Sequence, residues 1–132
     1  MNTPDRIIQL SQNPNLHPHG QHHPTSLYVE RYWLPIIGPS YLMILRGTQD
    51  LIDRYPNPPL GPFIEMEAQQ LGHHFGTRSR RRFVAKLTRL QGFGLANEVA
   101  PDMWFIAGRI PNLTTKQAQT LPPAMANDHA RH

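Results

Sequence analysis

At 132 residues the chain is long enough for one compact domain and too short for two sizeable ones. It has no cysteine, which rules out disulfides, thiolate zinc sites and a cysteine nucleophile and makes a reducing cytoplasm the expected compartment. A formal net charge of +4 favours polyanionic partners, the polar, proline-rich N-terminus does not resemble a signal peptide, and the longest apolar run, near Tyr41 to Leu45, is too short to span a bilayer.

Residues 1–25 hold Asn13, Pro14, Pro18, Gly20 and Pro24 among glutamines and histidines, a composition that predicts a disordered His/Pro-rich arm. His17, His19, His22 and His23 lie in it, but without cysteine or a folded frame they make a weak metal site. Order is expected from Tyr28, where Tyr28, Val29, Tyr32, Trp33 and Leu34 form an amphipathic turn that stops before Pro35. Gly38 punctuates, and Pro39 opens a first long helix carrying Tyr41, Leu42, Ile44, Leu45, Leu51, Ile52 and Tyr55 at helical spacing. Pro56 ends it, and Pro56 to Pro62 reads as a loop. Phe63 and Ile64 suggest a short strand, and Glu65 to Leu71 a brief helix closed by Gly72. A loop follows from Gly72 to Arg78, with His73 and His74 in it.

The stretch from Arg78 to Arg89 contains Arg78, Arg80, Arg81, Arg82, Lys86 and Arg89 and no acid. Phe83, Val84, Leu87 and Leu90 fall on one stripe at about 100° per residue, so this is an amphipathic helix. Arg78, Arg81, Arg82 and Arg89 project from the other side, where they suit a groove of phosphate charge. Gly92 and Gly94 end the helix. Leu95 to Ala100 and Met103 to Ile110 then form a hairpin around Pro101 and Asp102, and the polar tail from Thr114, interrupted by Pro122 and Pro123, supplies a short helix and a frayed end.

Helix, short strand, short helix, turn, basic helix and two-stranded hairpin is the order of a winged helix-turn-helix, an α+β fold that is mostly α with a small β-hairpin. Leu87 to Ala96 resembles the end of a recognition helix and the start of the wing in winged-helix regulators. The chain also resembles a group of short, uncharacterised actinobacterial proteins of this fold. The likeness is carried by Trp33, Leu34 and Pro35, by Gly38 and Pro39, by Phe93 to Ala96, and by Leu121 and Pro122. The expected organisation is an arm at 1–25, a winged-helix domain at 26–112 and a partly helical C-terminal extension at 113–132. Two features depart from the pattern: a long turn before the basic helix, and a hairpin whose tip carries Glu98 and Asp102.

The expected function is sequence-specific binding of double-stranded DNA by a small transcriptional regulator or mobile-element accessory factor, cytoplasmic and associated with the nucleoid. The expected DNA-binding residues are Arg78, Ser79, Arg80, Arg81, Arg82, Ala85, Lys86 and Arg89. Arginines at the helix start suit guanine edges, and Ala85 is small enough to let the helix sit deep. Ser79 is also the natural N-cap, and Arg80 lies nearer the apolar stripe, within reach of a backbone carbonyl or a phosphate. A homodimer would double the short readout, pairing through Tyr28, Tyr32 and Trp33 and the Leu113 to Met125 segment. The competing readings are a winged-helix module docking on an acidic protein and a histidine-dependent metal binder. No paired carboxylates, phosphate-binding glycine loop or nucleophile elbow points to an enzyme, and no cofactor, metal, membrane or small-molecule ligand is expected.

Overall fold

Ile8–Asn13 forms β1, the strand on which the sheet is built, in the computed structural model of the protein, which describes residues 7–54, 63–77 and 79–131. On one side β1 pairs antiparallel with β3, Ile64–Met66, placing Ile8 opposite Met66 and Leu10 opposite Ile64. On the other it runs parallel to β5, Met103–Ala107, with Leu10 opposite Trp104 and Gln12 opposite Ile106. β5 in turn pairs antiparallel with β4, Ala96–Ala100, so the sheet order is β3-β1-β5-β4. A second, two-stranded sheet joins β2, Gly20–His22, to β6, Ile110–Pro111.

The expected disordered arm is thus corrected over its described part, while residues 1–6 lie outside the described residues. Average composition underrated the segment. Ile8 and Leu10 are buried, and a strand with neighbours on both sides satisfies its backbone groups with little help from its side chains. The expected division at residues 25 and 112 also fails, because Ile8, Leu10, Leu113 and Leu121 belong to the same core as Leu87 and Trp104.

After β2 a five-residue π-helical turn, Val29–Trp33, runs directly into α1, Leu34–Ile37. The chain therefore stays helical through Pro35, against expectation. The Leu34 N–H donates to the Val29 carbonyl, and this wider turn relieves the clash between the proline ring and the preceding turn. α2, Pro39–Arg54, starts at the expected proline, while its expected end at Pro56 and the loop to Pro62 lie outside the described residues. Buried Leu42, Ile44, Leu45 and Leu51 face the core from α2. A polar relay crosses from sheet to helix: Gln12 Nε2 donates to Gln49 Oε1 at 2.6 Å, and Gln49 Nε2 donates to Asp53 Oδ1 at 2.9 Å.

α3, Ala68–Phe75, passes through Gly72 and includes His73 and His74 in its last turn, so neither histidine is a loop residue. The cap is Gly76 instead, whose φ of 76° is the left-handed conformation that glycine adopts without steric cost. Gly72 had the composition of a cap without the position. At Gly47 of α2 a Cβ would stand 2.6 Å from the Phe75 ring, so glycine is what lets α3 close on α2.

α4, Arg80–Gly92, follows, and the β4–β5 hairpin turns at Pro101 and Asp102 as expected. The tail holds two helices, α5, Thr115–Ala118, and α6, Pro123–His129. α6 is tied back to the π-turn, where the Tyr28 hydroxyl hydrogen-bonds His129 Nε2 at 2.7 Å and the Tyr32 hydroxyl donates to Asp128. Tyr28 also accepts from the Leu113 N–H at 2.9 Å, and the Trp33 indole donates to the Pro111 carbonyl at 2.8 Å. The aromatics expected at a dimer interface are consequently buried within their own chain, and burial raises the pKa of both tyrosines.

Two stability outcomes follow from this packing. Leu87 is fully buried, so Leu87→Ala should cost about 2 to 5 kcal/mol, a large part of the total for a domain this small; thermal denaturation followed by circular dichroism checks it, and an unchanged midpoint would contradict the packing. Removing residues 1–13 takes away the strand between β3 and β5, so the truncated chain should show no cooperative melting transition. A sharp transition near that of the full chain would mean that the sheet closes without β1.

Candidate nucleic-acid interface

The geometry of α4 begins with what it buries. Phe83, Leu87 and Leu90 are fully buried and Val84 is half-buried, which fixes the rotation of the helix about its axis. Phe83 stacks against Phe75 of α3 with ring centres 5.1 Å apart, so the core side of α4 is held by the helix before it. With that face committed, Arg81, Arg82, Ala85 and Arg89 are exposed and Lys86 is half-buried. Among the described residues no carboxylate pairs with Arg81, Arg82, Lys86 or Arg89. The Arg89 guanidinium lies 5.5 Å from the centre of the Tyr41 ring of α2, close enough for a cation–π contact that steadies it while leaving it exposed. Ala85 sits among these cations and offers only a methyl group.

Ser79 is the N-cap, its hydroxyl accepting from the Arg82 N–H at 3.2 Å. The turn between the helices runs from Gly76 to Ser79, shorter than expected because α3 extends to Phe75. Arg78 of that turn lies outside the described residues. At the far end Leu95 N–H returns to the Leu90 carbonyl at 2.9 Å, with Gly94 at φ 76°, and the chain passes straight into β4.

Arg80 behaves differently from its neighbours. Its Nη2 donates to Asp102 Oδ1 at the turn of the hairpin, and the two side chains are only 29% and 20% exposed. Its Nε is buried without a partner among the described residues. Asp102 has a φ of 62°, the left-handed region, and its carbonyl accepts from the Gln9 N–H of β1 at 2.8 Å. Such a conformation in a non-glycine residue costs on the order of 1 kcal/mol and persists where its surroundings impose it. Sequence reasoning placed Asp102 at the tip of the hairpin and missed its tie to Arg80. The turn itself was signalled, since a proline followed by a residue able to adopt positive φ is the pattern of a type II turn, but nothing in the spacing signalled the pairing.

Glu98 and Val99 are exposed on β4, and Arg109, just past the end of β5, is exposed as well. Burial, and then the neighbouring His19, lowers the pKa of His17; burial, and then His73 and Arg54, lowers that of His74, which favours the uncharged ring at both. His22 instead stacks on Tyr28, ring centres 3.9 Å apart, and its Nε2 lies 2.7 Å from Asn112 Oδ1. Among the described residues no group of three or more histidine or acidic side chains is placed to hold a metal ion. Nor is any described helix long and apolar enough to cross a membrane.

Comparison with known proteins finds no matching family model, no matching curated protein and no matching solved structure. The resemblance carried by Trp33 to Pro35, Gly38 and Pro39, Phe93 to Ala96, and Leu121 and Pro122 therefore rests on those residues alone.

The cap gives a local test of the start of α4. Ser79→Ala removes the acceptor of the Arg82 N–H and should lower stability by about 1 kcal/mol, while Ser79→Asp should restore most of the loss. Chemical denaturation of the three proteins measures both changes, and equal midpoints would show that the cap contributes nothing.

Proposed function

We propose that this protein is a winged helix-turn-helix DNA-binding protein that lays α4 in the major groove of a duplex. The observation that carries the reading is the outward face of α4, where exposed Arg81, Arg82 and Arg89 and half-buried Lys86 have no acidic partner among the described residues and surround Ala85, while the opposite face is buried. Neutralising phosphates with such a face releases condensed counterions, a favourable term that needs no base sequence. Arginine forks in the first turn reach guanine O6 and N7, and the Ala85 methyl fits beside a thymine methyl.

The element order from α2 through β5 supports the winged-helix reading, as does the short turn between α3 and α4. In this variant β1 is inserted between β3 and the hairpin. The proposed role is a small transcriptional regulator or mobile-element accessory factor in the nucleoid. A homodimer remains part of the proposal, because each bidentate contact discriminates by only about 1 to 3 kcal/mol and one short helix reads few base pairs. Its contact would have to use a surface other than Tyr28, Tyr32 and Trp33.

Replacing Arg81, Arg82 and Arg89 together by alanine should abolish the gel shift of genomic fragments and leave the circular dichroism spectrum unchanged. Any residual binding should show a salt dependence flatter by about 3 in the slope of log K against log salt concentration. If the triple variant holds DNA as tightly as the unaltered protein, the basic face serves another partner, and an acidic protein surface becomes the better reading.

A further inference from the structure

The basic face of α4 loses one of its cations within the protein itself. Arg80, the first residue of α4, spends its Nη2 on Asp102, and both side chains are mostly withdrawn from solvent. The Arg54–Asp50 pair of α2, 65% and 52% exposed, shows what an ordinary solvated pair looks like in the same molecule. The Asp102 carboxylate is not free to swing away. Its residue is held at positive φ in a two-residue turn, and its carbonyl is bonded to β1 through the Gln9 N–H.

A carboxylate offers a guanidinium the same kind of acceptor that a phosphate does, two oxygens in a plane at hydrogen-bonding distance. We propose that Asp102 is a specificity-determining residue that acts as a resident competitor for Arg80, keeping this arginine off the DNA backbone. A phosphate arriving at the start of α4 has to displace a fixed, partly shielded carboxylate, so contact with Arg80 releases little net free energy. Non-specific complexes, which consist almost wholly of phosphate contacts, lose most by this. Contacts from Arg81, Arg82 and Arg89, which have no acidic partner among the described residues, are untouched. Asp102 thereby narrows the DNA-facing charge to the residues that also reach the groove, and lowers background binding relative to a preferred site.

The inference rests on the duplex-binding reading, and its test separates the two. A short fluorescein-labelled duplex of arbitrary sequence is titrated by anisotropy across a series of salt concentrations with four proteins: unaltered, Arg80→Ala, Asp102→Asn and the double variant. Asparagine keeps the shape of the side chain and tolerates positive φ while removing its charge. Asp102→Asn should bind severalfold more tightly at low salt, with a slope of log K against log salt concentration steeper by about 1, as one further phosphate contact requires. The double variant should lose that added slope, which distinguishes a released Arg80 from the mere loss of a negative charge. In cycle form, Arg80→Ala should change the slope far more in the Asp102→Asn background than in the unaltered one. Equal changes in both backgrounds, or no change in slope for Asp102→Asn, would overturn the inference. Thermal melts establish that each variant is folded, and Asp102→Gly, which relaxes the turn, replaces Asp102→Asn if the latter unfolds. Should both Asp102 variants unfold, a slope flattened by about 1 in Arg80→Ala alone overturns the inference, and an unflattened slope supports it. Failure of the duplex-binding reading looks different, because then the Arg81, Arg82 and Arg89 triple variant binds as well as the unaltered protein.

Discussion

The insertion of β1 between β3 and β5 is the constraint on which the other elements depend. Without it the sheet has a gap: β3 and β5 each bond to β1, and neither is bonded to the other. The parallel register with β5 brings the start of the chain to the hairpin that follows α4, so the sheet is complete only when distant segments have met. Such pairing closes a long loop before it returns any hydrogen bonds, and it ties stability to the whole chain rather than to a local motif. The C-terminal end is bound in the same way, through α6 and the tyrosines of the π-turn. An arm and an extension, as the composition suggests them, are in fact the two segments that close the fold.

That closure is what gives α4 a fixed aspect. Phe83, Leu87 and Leu90 point to the core and take no exposed surface, so the arginines cannot rotate inward without unpacking it. The helix is also gripped at both ends: by the Ser79 cap at its start, and by the backbone bond from Leu95 to Leu90 at its finish. Its first residue is also joined to the hairpin by the Arg80–Asp102 pair, and the Asp102 carbonyl is itself bonded to β1. A chain of short-range contacts thus connects the N-terminal strand to the basic face, and the orientation of the cations is a property of the sheet as much as of the helix.

The parts of this arrangement that were legible in the sequence are the ones that local chemistry determines. The stripe of Phe83, Val84, Leu87 and Leu90, the start of α2 at Pro39, the cap at Ser79 and the hairpin at Pro101 and Asp102 all depend on neighbours a few residues away. What was not legible depends on partners far along the chain. β1 reads Ile-Gln-Leu-Ser-Gln-Asn, too polar to announce a central strand, and becomes one because β3 and β5 supply hydrogen bonds on both sides. Gly72 and Gly76 compete as helix stops, and the choice is made by packing, with Phe75 seated against Gly47 of α2 and stacked on Phe83 of α4. Pro35 looks like a break and is carried through by a π-turn whose residues Val29, Tyr32 and Trp33 are all buried. The outward placing of Arg81, Arg82 and Arg89 on α4 was legible from the helical stripe, but the pairing of Arg80 was not, since no spacing rule connects Arg80 to Asp102.

The acids of the hairpin bear on how such a surface would choose among DNA sites. Binding that depends only on charge rises with every cation a protein presents and falls with every nearby acid, whatever the base sequence. Contacts to base edges depend instead on the geometry of a few forks and methyl groups. Placing Asp102 against the first residue of α4, rather than on the helix's exposed face, would subtract from the first term and leave the second intact. A tight hairpin with an acidic turn is a poor clamp on phosphate for the same reason, so under the proposed duplex binding the burden of recognition would fall on the segment from Ser79 to Arg89. On this view the acidity of the hairpin, which at first argues against a nucleic-acid partner, is a means of selecting among nucleic-acid sites: the ratio of specific to non-specific affinity improves as the sequence-independent part is reduced.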